Sequence, residues 1–343
     1  MNNSSPSLTV STSPFAPTQA DGEPTLGDRP KSVTIAIIGD VHDRWDACEE
    51  SILKRLGVDL VLFVGDFGNE SVALVERIAA MDLPKAAVMG NHDAWYTATP
   101  WGRTQCPYDR KKEDWVQQQL DALGVAHVGY GGLDFPGFNL TVVGSRPFSW
   151  GGSEWKYKRF YRDRFGVRNF RESTERMMQA VKSAAYSTII FLGHCGPHGL
   201  GDRPEALCGK DWGRVSIGGD YGDPDFADAI AQTQAMGKNI PLVAFGHMHH
   251  SLRHRQDRER DKVFYDGQTL YLNAASVPRI RDHKTQVHHR QDYSQEGDRL
   301  YNFSLVQLLG GKITSARLVW ANQTGDILKS EGLYELAFQD TSG

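Results

Sequence analysis

The chain has 343 residues, 40% hydrophobic and 23% charged, with a formal net charge of −4. That is enough for one large α/β domain or two average ones, and it is the composition of a globular protein. A mildly acidic chain is not built to coat nucleic acid, so any basic site must be local. No apolar run reaches membrane-spanning length.

Residues 1–30 are rich in Ser, Pro and Thr, contain no long apolar stretch and have Arg29 as their first basic residue. They lack the apolar core of a secretory signal and the arginines of a transit peptide, and read as a disordered tail. Cys48, Cys106, Cys195 and Cys208 form no C-x-x-C pair. They read as reduced thiols, which points to a cytoplasmic protein.

From residue 32 an arrangement recurs. "SVTIAIIGDVHD" is an apolar run ending in Gly39-Asp40-Val41-His42. A helical pattern over about Asp46–Leu56 leads to "VDLVLFVGDFGNE", which ends in Gly65-Asp66. A second helix, about Val72–Met81, leads to "KAAVMGNHD", ending in Gly90-Asn91-His92-Asp93. Helices are predicted again over Lys112–Leu123 and Glu172–Ala185. "STIIFLGHCGP" then ends in Gly193-His194, and "IPLVAFGHMHH" in Gly246-His247-Met248-His249. Each run is short and apolar without alternation, as a strand covered on both faces reads. Strands alternating with helices predict an α/β sheet, whose ligands gather beyond the carboxyl ends of its strands.

All five motifs lie at that end. They bring together two Asp, one Asn and four or five His, the oxygen and imidazole ligands of Mn, Fe or Zn, without a soft thiolate. A lone His or Gly-Asp is most often a core residue or a turn, but five strand ends carrying ligand types point to a metal site.

In order and spacing these blocks resemble the calcineurin-like metallophosphoesterase superfamily, whose pattern is D-x-H, GD, GNH[DE], H and GHxH. "TLYLNAASVPRI" resembles the strand and turn that follow, and "YNFSLVQLLGGKITSARLVW" the closing hairpin with Gly310-Gly311 as its turn, so the likeness spans about 32–322. It implies an α/β sandwich of two mainly buried mixed β-sheets flanked by helices, with a dinuclear metal site at the strand C-terminal ends. The expected organisation is a tail at 1–30, a catalytic domain at 31–322 with insertions about 94–112 and 145–172, and a C-terminal extension at 323–343.

The resemblance further implies two divalent ions, Mn²⁺ first, with Fe or Zn as alternatives. Asp40, His42 and His249 would hold one, Asn91, His194 and His247 the other, and Asp66 would bridge both. Positions i and i+2 of an extended segment face the same way, which suits Asp40/His42 and His247/His249. His250 would face the other side, and His254 would lie beyond reach.

The expected reaction is hydrolysis of a phosphate ester by a metal-bridging hydroxide, with His92 as general acid. The sequence departs from the Ser/Thr protein phosphatase branch, whose second block reads GDxxDRG. Here Asn69 and Glu70 stand in place of its second Asp and its Arg, and Asp43 replaces a glycine of the first block. Asn69 can hydrogen-bond His92, with Glu70 or Asp93 as candidate carboxylates around it. That branch is disfavoured; dephosphorylation is not.

The two insertions carry Trp95 and a basic-aromatic run that includes Arg159 and Arg162. These three, with His198, are candidate substrate contacts, since arginine suits phosphate and aromatic rings suit planar groups. A solvated basic face over a small aromatic core is the plainer alternative. Arg279 and Arg281 are expected at the surface. The substrate is expected to be a small phosphorylated molecule, with no membrane partner and nucleic acid disfavoured; the oligomeric state is left open. The competing readings are a nonenzymatic metal-dependent scaffold and a nuclease using residues 145–172.

Overall fold

The computed structural model describes residues 32–213, 217–282 and 299–336. The expected tail at 1–30 lies outside the described residues. In chain order the elements are β1 (Ser32–Ile38), α1 (Glu49–Arg55), β2 (Leu60–Phe63), α2 (Val72–Ala79), β3 (Lys85–Ala87), α3 (Trp95–Ala98), α4 (Pro100–Thr104) and α5 (Trp115–Leu123). Then come β4 (Gly132–Phe135), β5 (Leu140–Gly144), α6 (Lys158–Phe165), α7 (Phe170–Ser183), β6 (Thr188–Leu192), α8 (Pro224–Ala235) and β7 (Asn239–Phe245). The chain closes with β8 (Val263–Tyr265), β9 (Leu270–Asn273), β10 (Ile280–Asp282), β11 (Arg299–Leu309), β12 (Lys312–Ala321) and β13 (Ile327–Glu335).

The strands form two mixed sheets. One runs β13-β12-β11-β1-β2-β3 with β10 beside β11, and the other β4-β5-β6-β7-β9-β8. β1, β2 and β3 are parallel at one edge of the first sheet, whose other strands pair antiparallel. β5, β6, β7 and β9 form the parallel centre of the second, with β4 and β8 antiparallel at its edges. Alternate residues of each central strand face opposite sides, and both sides are apolar. Ile35, Ile37 and Leu62 of one sheet meet Val142, Ile190, Leu192 and Leu242 of the other in a shared core. On the outer face of the first sheet, Ile38 and Phe63 pack against Ile52 and Leu53 of α1, Leu74 and Ile78 of α2, and Val116 of α5. On the outer face of the second, Phe191, Val243 and Phe245 pack against Met177 and Val181 of α7 and Phe226 and Ile230 of α8. The α/β sandwich expected from the motif blocks is the observed architecture.

The predicted helices begin where their caps dictate. Asp114 accepts from Gln117 N at 2.9 Å to open α5, and Asn169 accepts from Glu172 N at 3.0 Å to open α7. The closing hairpin turns at Gly310-Gly311, both at positive φ, between Leu309 and Lys312. Residues 327–335, placed by sequence in a C-terminal extension, form the edge strand β13 against β12.

One expectation is corrected. Arg279, expected at the surface, is 1% exposed. It donates to Glu49 Oε1 at 2.9 Å and to Arg44 O at 2.8 Å, and lies over the rings of Trp45 and Phe303. A planar fork that binds a carboxylate and stacks on aromatic rings suits burial. Arg281 is half-buried, its guanidinium 4.4 Å from the Trp320 ring centroid.

Candidate metal centre

The five motif loops leave β1, β2, β3, β6 and β7 at the same edge of the two sheets, because those strands run parallel. Two glycines permit the loops' close approach. A Cβ on Gly90 would run into Asp66 Oδ1 and stand 2.7 Å from His194 Cε1, and one on Gly246 would stand 2.7 Å from Asp40 Oδ1. Asp40, His42, Asp66 and His247 adopt left-handed backbone, with φ between 43° and 67°. Such conformations cost non-glycine residues roughly 1–3 kcal/mol each and persist where surrounding structure enforces them, often at functional sites.

Two groups of side chains converge. In the first, Asp40, His42 and His249 offer ligand atoms to a common point. His42 Nε2 lies 3.3 Å from His249 Nε2, and His249 Nε2 lies 3.4 Å from Asp40 Oδ2. In the second, His194 Nε2 lies 2.9 Å from Asn91 Oδ1, 3.2 Å from His247 Nδ1 and 3.3 Å from Asp66 Oδ1. Asp66 connects them, since Oδ2 lies 3.8 Å from His42 Nε2.

These atoms fit a cation. His194 Nδ1 donates to Val64 O at 2.8 Å, so its Nε2 turns a lone pair toward the oxygens of Asn91 and Asp66. Asp40 Oδ2 is buried with no hydrogen-bond partner. Burial, reinforced by the charge of Asp66, raises the Asp40 carboxyl to about 7. Burial works to raise Asp66 too, but the facing imidazoles of His194, His92, His42 and His247 together carry it below the ordinary carboxylate range. Burial lowers His42 and His247 and brings His249 to about 4. Neutral imidazoles and carboxylates aimed at one another are the donor set of a divalent metal. Cys195 Sγ also lies near His194 and His247, but burial pushes that thiol well up and holds it protonated.

His92 faces the same space. Its Nδ1 lies 2.6 Å from Asn69 Oδ1, its ring stacks on Trp95 at 4.9 Å, and it meets the His42 ring edge-on at 5.0 Å. The two carboxylates considered beside Asn69 are committed elsewhere. Asp93 accepts the backbone N–H groups of Asp66, Phe67, Gly68 and Gly90 at 2.7–3.3 Å, which ties two of the site loops together. Glu70 accepts from Thr97 N at 2.7 Å and from the Tyr108 hydroxyl. Only Asn69 of the three touches the His92 ring.

A pocket of about 370 Å³ opens on this cluster, lined in part by Asp66, Asn91, His92, His247 and His249. Trp95 lines it as expected. Arg159 and Arg162 do not: on α6 they pair with Asp163 and point to solvent, while Phe160 and Tyr161 are buried. Arg159 borders a separate groove with Arg103, Arg110 and Arg164. His198 is exposed and borders another, with Leu200 and Phe264. His250 is buried, with Nε2 2.9 Å from Asn273 O, and His254 lies 3.3 Å from Glu205. Trp150 and Lys156 of the basic-aromatic run also line it, and the walls that sequence reasoning missed are Asp211, Trp212, Tyr221, Arg253 and Arg260. No motif marks them; only the packing of distant loops brings them here.

The chain belongs to the calcineurin-like phosphoesterase family, whose model matches residues 33–251. It is thus a metal-dependent hydrolase of phosphate esters, and the family implies a dinuclear divalent metal centre. No curated protein matches the chain. Among solved structures, TT1561 of Thermus thermophilus is 12% identical, with 89% of this chain and 100% of that chain covered and a TM-score of 0.45. A dimetal phosphatase from Danio rerio is 11% identical, with 89% and 99% covered and a TM-score of 0.42. A purple acid phosphatase from yellow lupin (Lupinus luteus) is 12% identical, with 89% and 54% covered and a TM-score of 0.42. Among the described residues, no helix is long and apolar enough to cross a membrane.

Proposed function

We propose that this chain hydrolyses a small phosphomonoester or phosphodiester with two divalent ions, Mn²⁺ foremost. Asp40, His42 and His249 hold one ion; Asn91, His194 and His247 hold the other; Asp66 is shared. The observation that carries this is the convergence of the His194 Nε2 lone pair, the unpartnered Asp40 Oδ2 and the facing His42 and His249 nitrogens. When bound, the ions supply positive charge against the phosphoryl oxygens and acidify water.

The residues of the chain do the rest. Asp66 draws the two ligand groups together and receives the His92 N–H at 2.9 Å, which ties the acid's backbone to the site. Asn69 orients the His92 ring, and Trp95 holds its face. The oxygen of water forms the new bond to phosphorus, the bond to the leaving oxygen breaks, and His92 Nε2 gives that oxygen its proton. The products are an alcohol and a phosphate. No cysteine or serine nucleophile is needed.

The test is hydrolysis of p-nitrophenyl phosphate and bis(p-nitrophenyl) phosphate with added Mn²⁺, followed by EDTA. Turnover that appears with the metal and stops with the chelator is the expected result. Metal binding without turnover of either ester would instead make the chain a metal-dependent scaffold.

A further inference from the structure

Beyond the ligand atoms, the pocket has aromatic walls and two cations with no carboxylate partner among the described residues. On one side Trp95 stacks on His92, and Trp150 stacks on Trp95 at 5.4 Å and 28°. The three rings form one stack beside the reacting centre, with Trp150 at its far end. On the other side Trp212 meets Tyr221 edge to face at 4.8 Å. Lys156 Nζ stands 4.9 Å from the Tyr221 ring centroid and donates to Gly151 O at 3.2 Å. Among the described residues its ammonium has no carboxylate partner, and burial lowers it below the usual lysine range. Arg253, near enough to His249 for its charge to act on that imidazole, has no side-chain ion pair among the described residues, its backbone N–H alone donating to Asp211. Arg260 differs: it pairs with Asp211 at 3.5 Å and donates to the carbonyls of His249, Pro204, Ala206 and Gly209.

The walls are fixed from beneath. Gly152 N donates to Tyr221 O at 2.8 Å, joining the two loops. Gly151 N donates to Ser149 Oγ, which donates to Asp223 Oδ1 at 2.7 Å. Arg146, 2% exposed, pairs with that Asp223 at 2.5 Å and with Asp225 at 2.9 Å. Lys156 and Tyr221 are thus held in place by one buried network, as a preorganised binding wall requires. A pocket of about 370 Å³ is more than a single phosphoryl group fills. A half-buried ammonium with no carboxylate partner among the described residues calls for an anion, and the indole of Trp150 at the end of the stack offers a surface for a planar ring.

Resting on the phosphoesterase reading above, we propose that this pocket takes a nucleoside diphosphate. Its terminal phosphoryl group sits at the ligand cluster, its inner phosphate between Lys156 and Arg253, and its base against the Trp150 end of the aromatic stack. Hydrolysis breaks the bond from the terminal phosphorus to the bridging oxygen. Water supplies the new oxygen, and inorganic phosphate, nucleoside monophosphate and a proton are released.

The experiment compares adenosine 5′-diphosphate with adenosine 5′-monophosphate, pyrophosphate and p-nitrophenyl phosphate under Mn²⁺, each of which lacks at least one recognised part. The diphosphate is expected to exceed each in kcat/KM by about tenfold or more. Lys156→Ala and Arg253→Ala are expected each to raise its KM by about tenfold, and that of p-nitrophenyl phosphate by less. In EDTA-treated protein, adenosine 5′-diphosphate should quench tryptophan fluorescence, with weaker binding in Lys156→Ala. Turnover of p-nitrophenyl phosphate with no preference for the diphosphate, or an unchanged KM in both variants, would overturn the assignment. If no ester is turned over, the phosphoesterase reading fails separately; the fluorescence titration still decides this one, and absent quenching overturns it.

Discussion

His92 presents Nδ1 to Asn69 and one face to Trp95, which leaves Nε2 as the atom from which a proton can reach a leaving oxygen. Replacing His92 with Ala should therefore slow esters with poor leaving groups by about 10²-fold or more, and p-nitrophenyl phosphate much less. Equal losses for the two would remove the general-acid role. Gly246→Ala would place a methyl group 2.7 Å from Asp40 Oδ1, so calorimetry should show weakened Mn²⁺ binding with little change in overall fold. A different consequence attaches to His127, whose Nε2 is buried with no partner and whose imidazole burial lowers from 6.5 to about 4. The unfolded chain takes up this proton at higher pH than the folded one. Its contribution to stability is therefore full above about pH 6.5 and is lost as the pH falls toward 4. Urea unfolding across that window should show a shallower pH dependence in His127→Gln than in the wild type.

Each metal-site block follows its strand directly, so its geometry is written locally: an apolar run, a glycine, then the polar side chains. Parallel pairing of the strands brings the blocks to one edge, and this is why Asp40, Asp66, Asn91, His194, His247 and His249 were legible in the sequence. Lys156 and Tyr221 were not legible as neighbours, because a buried pair between Arg146 and Asp223 brings their loops together. Arg159 and Arg162 follow the plainer alternative of a solvated basic face, which composition alone could not decide because it does not say which way a side chain faces. On α6, with Phe160 and Tyr161 turned inward, the arginines must face solvent. The buried pair of Arg279 with Glu49 on α1 was hidden in the same way, since its partners are far apart in sequence. Removing one partner of such a pair strands a charge, so Arg279→Met should cost about 3–5 kcal/mol in chemical denaturation. Adding Glu49→Leu should recover most of that loss.

At the scale of the whole molecule, the sandwich places the central strands of both sheets around one shared core, with the ligand loops of both sheets at one edge. The outward turn of the α6 arginines keeps Arg159 and Arg162 away from the metal pocket, while Lys156 of the same basic run lines it. The proposed centre in this pocket holds two ions per chain, and turnover depends on them. The direct test is to measure bound Mn²⁺ per chain by elemental analysis together with p-nitrophenyl phosphate hydrolysis, in the wild type, in Asp66→Asn and in His250→Ala. Two ions per chain and EDTA-sensitive turnover are predicted for the wild type, with both strongly reduced in Asp66→Asn and the ion count kept in His250→Ala. Full turnover by metal-free protein, or a metal content that Asp66→Asn leaves unchanged, would contradict it.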